Sequence, residues 1–87
     1  MSWGCRLSKA AAKDLARLPR DRQQQIADAI AQMRSDPLGG DVLPIKSGKF
    51  KGASRRHCGR YRIIFSIDSA QAIIEIAAIL VRTEKTY

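Results

Sequence analysis

The clearest hydrophobic rhythm in the chain runs through residues 20–36, "RDRQQQIADAIAQMRSD". Ile26, Ala29, Ile30 and Met33 recur at i, i+3, i+4 and i+7, and Gln, Arg and Asp fill the other positions. That spacing predicts a helix with one apolar stripe. Upstream, Ala11, Leu15 and Leu18 fall on one face of a shorter helix over "KAAAKDLARL", with Ser8 placed to cap it. Pro19 ends that helix and suits the start of the next, so the two form an αα-hairpin whose stripe must lie on something. Elsewhere the period drops to two. "WGCRL" (3–7) predicts a short first strand. Residues 54–58, "YRIIFSI" (61–67) and "AIIEIAAILVR" (72–82) predict three more, with "DSAQ" (68–71) as a turn of hairpin length. "SDPLGG" (35–40) stops the long helix, and residues 41–53 read as an irregular loop that Val42, Leu43 and Ile45 can anchor.

The order is βααβββ within a single domain spanning 1–87. Strands in succession after a helix pair predict an α+β fold: a helical hairpin packed on one face of a small antiparallel-rich sheet. Side chains alternate across a strand. Tyr61, Ile63, Phe65 and Ile67 are therefore expected to face the helices, and Arg60, Arg62, Ile64 and Ser66 the opposite side. In the last strand Ile74, Ile76, Ala78 and Leu80 share one face, and Ile73, Glu75, Ala77, Ile79 and Val81 the other. A strand apolar on both sides is central in its sheet or covered by a second body. Trp3 is expected in the core.

Charge changes this picture because of where it lies. The net charge is +8, and residues 45–62 hold Lys46, Lys49, Lys51, Arg55, Arg56, Arg60 and Arg62 with no acid among them. A solvated face intersperses signs; a concentrated run favours a polyanion or an acidic protein partner. The longest apolar run, "AIIEIAAILV", is too short for a membrane span and carries a glutamate. The first residues lack the apolar centre of a signal peptide, so a cytoplasmic location without membrane contact is expected. Cys5 and Cys58 have no CxxC spacing, and the single histidine cannot complete a zinc site with them. They read as small half-buried hydrophobes.

No glycine-rich phosphate loop, Ser-His-Asp set, paired carboxylates or metal cluster is evident, and no cofactor is expected. Arginine, lysine, one histidine and tyrosines remain. That set suits attack of an RNA 2′-hydroxyl on its neighbouring phosphate. Arginine stabilises the charge gathering on the non-bridging oxygens, and a base and an acid serve the attacking and leaving oxygens. DNA has no 2′-hydroxyl to react. Lys46, Lys49, Lys51, Arg56 and Arg60 are expected to contact RNA phosphates without reading sequence. Alternation sets Arg56 apart from Arg55 and His57, so solvation alone also accounts for it.

The run "GRYRIIF", preceded by "GKFKGASRRHC" and followed one strand later by "ILVRTEKTY", resembles the RelE/ParE toxin superfamily. The upstream "LSKAAAKDLARLPRDRQQQIADAIAQM" with "DPLGG" is similar to that family's helical hairpin, so the likeness covers essentially the whole chain. The RelE branch, favoured here, implies the toxin of a type II toxin–antitoxin system. Such a toxin is an endoribonuclease that cuts mRNA on the ribosome without metal and is silenced by a cognate antitoxin. The ParE branch implies instead a non-nuclease inhibitor of DNA gyrase. A plain basic RNA-binding module is the third alternative.

Carried over residue by residue, the resemblance assigns Arg62 to the scissile phosphate and Arg82 to the leaving group. It assigns Tyr87 to base stacking or general base catalysis, and Arg55 to phosphate contact. His57 stands where relatives often carry arginine or lysine, and relatives with catalytic histidines give it an acid or base role. Ala53 departs from the pattern, because some relatives carry a lysine there; Lys51 or Lys49 can substitute through a loop shift. An antitoxin helix or strand is the expected cover for the second face of the last strand, drawn by the basic charge if that partner is acidic.

Overall fold

The computed structural model describes residues 3–40 and 42–81. Seven elements follow in order: β1 (Gly4–Leu7), α1 (Lys9–Ala16), α2 (Arg20–Ser35), β2 (Val42–Pro44), β3 (Ser54–Cys58), β4 (Tyr61–Asp68) and β5 (Ile73–Val81). The strands make one sheet in the order β1-β5-β4-β3-β2. β2, β3, β4 and β5 pair antiparallel with their neighbours, and β1 adds parallel to β5.

The helical hairpin forms for the reasons its spacing gives. The Ser8 hydroxyl accepts the Ala11 N–H at 3.0 Å and starts α1. Ala11 from α1 and Ile26, Ala29 and Met33 from α2 are buried against Tyr61, Ile63, Phe65, Ile74, Ile76 and Ile79 of the sheet. Trp3, Leu15, Leu18, Ile30 and Ile67 pack around them. Arg34 ties the end of α2 to the start of β1: its backbone carbonyl accepts the Trp3 N–H at 2.7 Å, and its Nε donates to the Trp3 carbonyl at 2.8 Å. No helix of the described residues is long and apolar enough to cross a membrane.

Three expectations need correction. The loop expected over 41–53 contains an edge strand, β2, opposed to β3 with Pro44 against Ser54. Three residues are too few to show alternation, and proline is tolerated only because an edge strand spares its missing N–H. Arg60 does not share a strand face with Arg62. It lies with Gly59 in the two-residue turn from Cys58 to Tyr61, where Gly59 has φ of +58°. That conformation favours glycine, and a Cβ on Gly59 would also displace the amide end of the Gln25 side chain.

The third correction concerns β5. Ile64 of β4 opposes Ala78, and the next residue, Phe65, opposes Ile76. Ala77 is therefore surplus, a β-bulge, and the alternation of β5 inverts across it. Ile74 and Ile76 face the helices before the bulge and Ile79 after it. Ala78 and Leu80 move to the face of Ile64 and Arg62, their cross-strand partners. Much of the two-sided apolar pattern of β5 is thus one face written in two registers.

Candidate functional site

Cross-strand pairing assigns every strand residue to a face. Ser54, Arg56 and Cys58 of β3 stand opposite Phe65, Ile63 and Tyr61 on the helix side. Arg55 stands opposite Ile64, and His57 opposite Arg62, on the face away from the helices. Leu43 of β2 joins Arg55 there, and Ala78 and Leu80 join Ile64 and Arg62 from β5. Two rows result, Leu43–Arg55–Ile64–Ala78 and His57–Arg62–Leu80. Directly opposed side chains start about 5 Å apart at Cβ and diagonal ones about 7–8 Å apart. Arg62 consequently stands directly opposite His57 and diagonal to Arg55 on this face.

The tight Gly59–Arg60 turn fixes this register. Cys58 and Tyr61 close the turn, so His57 and Arg62 form the next pair, in antiparallel alternation the closer, non-hydrogen-bonded kind. Among the described residues the one ion pair is Arg6 with Glu75, at 3.0 Å, so no described carboxylate neutralises Arg55 or Arg62. Arg60 is exposed at one end of β3. Lys46, Lys49 and Lys51 are exposed at the other, in a loop closed by Ile45 N–H to Ala53 O at 2.9 Å and Gly52 N–H to Ile45 O at 3.0 Å. Cationic side chains thus run from the lysine loop through Arg55 of β3 and Arg62 of β4 to Arg60 in the turn.

Arg56 is not brought together with these. It donates to the Gly39 carbonyl at 2.8 Å and to Oε1 of Gln32 at 3.0 Å on the helix side, where it ties the loop after α2 to the sheet. Tyr61 is in the core. Arg82 and Tyr87 lie outside the described residues. Cys5 and Cys58 are free thiols packed against the core. Burial pushes the Cys58 thiol up, and the Arg56 charge offsets this only in part. Burial likewise raises Cys5 against the pull of Arg34. Neither is a thiolate nucleophile. Among the described residues no three His, Cys, Asp or Glu side chains gather as a metal site.

Strand alternation alone missed Leu80 as a neighbour of Arg62. The signal that could have found it is the paired "AA" at 77–78, two small residues where a bulge crowds least.

A family profile described as the ParE toxin of the type II toxin–antitoxin system, parDE, matches residues 5–86. The chain belongs to that family. It is a type II toxin of the RelE/ParE superfamily, and solved structures agree on its fold. It resembles the RelBE2 toxin–antitoxin complex of Mycobacterium tuberculosis at 22% identity and a TM-score of 0.81, covering 94% of this chain and 100% of that one. It resembles the archaeal RelE–RelB complex of Pyrococcus horikoshii OT3 at 21% identity and a TM-score of 0.80, covering 97% and 99%. The isolated E. coli RelE toxin matches at 9% identity with a TM-score of 0.76, over 98% of this chain and 88% of that one. Identities this low establish the shared fold. A comparison with curated protein sequences found no match. The α+β architecture expected from the toxin's sequence is the architecture of these relatives.

Proposed function

We propose that this toxin is an endoribonuclease that cuts mRNA on the ribosome, and that the face away from the helices is its reactive face. The observation that carries this reading is the direct opposition of His57 and Arg62, with Arg55 one row away. In the reaction the 2′-oxygen bonds to phosphorus as the P–O5′ bond breaks, leaving a 2′,3′-cyclic phosphate and a 5′-hydroxyl. Arg62 and Arg55 hold the phosphoryl oxygens through charged donor forks, where negative charge grows in the transition state. His57 is in reach to exchange the proton of the attacking or leaving oxygen. Arg82 is the next residue after β5 and Tyr87 lies five positions beyond it in sequence, and we assign them to the leaving group and to base stacking or proton abstraction. The exposed lysines and Arg60 guide the RNA backbone into place. A cognate antitoxin silences the toxin, as the RelE–RelB complexes among its structural relatives suggest.

Primer extension on ribosome-bound mRNA tests the proposal. The wild type should produce discrete stops inside the ribosomal A site, and Arg62→Ala should abolish them. Cleavage that persists in Arg62→Ala, or a wild type that leaves mRNA intact, rejects it. One observation favours a second reading, because the matching family profile is that of ParE. On that reading the toxin inhibits DNA gyrase without cutting RNA. Supercoiling by gyrase in the presence of the toxin then falls, and Arg62→Ala remains toxic.

A further inference from the structure

The bulge of β5 is held from outside the sheet. β1 ends at Leu7, opposite Ile76, so β5 has no strand neighbour on that side from Ala77 onward. Two side chains flanking and within α1 replace the missing ladder. Oγ of Ser8 donates to the Ala77 carbonyl at 2.8 Å, and Oδ2 of Asp14 accepts the Ile79 N–H at 3.0 Å. Ile79 is only 4% exposed, so its N–H depends on that carboxylate rather than on water.

What the bulge decides is which residues reach the far face. With Ala77 surplus, Leu80 stands opposite Arg62 and remains 39% exposed. Without the surplus residue the alternation would carry Leu80 to the helix side with Ile74 and Ile76, and bring Ile79 and Val81 up beside Arg62. We propose that Ser8 and Asp14 are positioning residues: they lock the bulge and thereby fix the β5 surroundings of Arg62. The functional half of this proposal rests on the reading of that face as the reactive one; the structural half does not.

The full-length protein, made by cell-free synthesis with isotope labels, allows both halves to be tested. In the wild type the Leu80 methyls should show a nuclear Overhauser contact to the Arg62 side chain, and the Ile79 amide should exchange slowly. Asp14→Ala should speed that exchange, weaken the Leu80–Arg62 contact and lower mRNA cleavage on the order of tenfold to a hundredfold, as ångström-scale misplacement near reacting groups does. Asp14→Asn keeps an acceptor oxygen and should restore all three. Ile26→Val, a core change on α2 that touches neither hydrogen bond to the bulge, should lower stability while keeping the contact and the activity. If Asp14→Ala does not fold, Asp14→Glu serves instead, and its displaced carboxylate should move the Ile79 amide and the Leu80–Arg62 contact together. The proposal is overturned if the alanine or glutamate variant keeps contact and cleavage at wild-type level, if asparagine fails to rescue, or if Ile26→Val reproduces the loss. Should the wild type leave mRNA intact, the nuclease reading falls alone, and the exchange and contact measurements still decide the clamp.

Discussion

Ala72 offers a perturbation whose size follows from backbone geometry alone. It ends the turn between β4 and β5 with φ of +54°, and among the described residues it is the non-glycine residue with positive φ. The turn holds it there: Oδ1 of Asp68 accepts the Gln71 N–H at 3.2 Å, and the Ala72 carbonyl accepts the Gly4 N–H at 2.8 Å, where β1 joins the sheet. An L-residue in the left-handed region costs about 1–2 kcal/mol. Ala72→Gly removes that strain but adds about 0.5–1 kcal/mol of unfolded-chain entropy. Taking the middle of each range, the net gain is about 0.75 kcal/mol, which for a domain of this size raises Tm by about 3–6 °C. Ala72 is exposed, so no packing is lost with its methyl. Urea unfolding should show a higher midpoint at unchanged slope. Ala72→Val should move the midpoint the other way, because branching at Cβ worsens the same clash. A glycine variant no more stable than the wild type would refute the strain assignment.

Other predictions follow from the same geometry. Arg56→Met keeps the aliphatic stem but loses both bonds to Gly39 and Gln32, and should cost about 1–2 kcal/mol in denaturant unfolding while leaving mRNA cleavage at wild-type level. Arg62→Lys keeps the charge but not the planar fork, so its cleavage should fall by on the order of a hundredfold and still exceed that of Arg62→Ala. Alkylation of Cys58 by iodoacetamide at pH 7 should be slower than that of a free cysteine, because burial raises its pKa and thins the thiolate. The rate should climb as pH rises through the raised value; fast labelling at neutral pH contradicts this.

How much of the molecule its sequence discloses depends on how local each feature is. α2 is legible because four apolar residues repeat over two turns, and β4 because alternation runs its full length. β2 is not, because three residues carry no period and its strand character comes from β3 beside it. The parallel placement of β1 against β5 is a contact between distant parts of the chain that no local window contains. At the site, Arg55, His57 and Arg62 are readable as a group once the hairpin register is known, since a two-residue turn dictates who faces whom. Arg56 shows the converse: the same cationic run contains a residue whose partners, Gln32 and Gly39, lie in a different element and a loop. Leu80 is misassigned by simple alternation because one surplus alanine, held by side chains more than sixty positions upstream, reverses every residue after it.

The sheet order also governs how the chain can be made. β4 occupies the centre, and β1 joins only through β5. A growing polypeptide that has released its two helices therefore exposes their apolar stripes with nothing to receive them. The first strand waits for residues 73–76 before it can pair at all. Native contacts of such long separation form late and together. A stalled or truncated product lacking β5 has no strand to join β1 to β4, so the five-stranded sheet closes only once the last strand has been made.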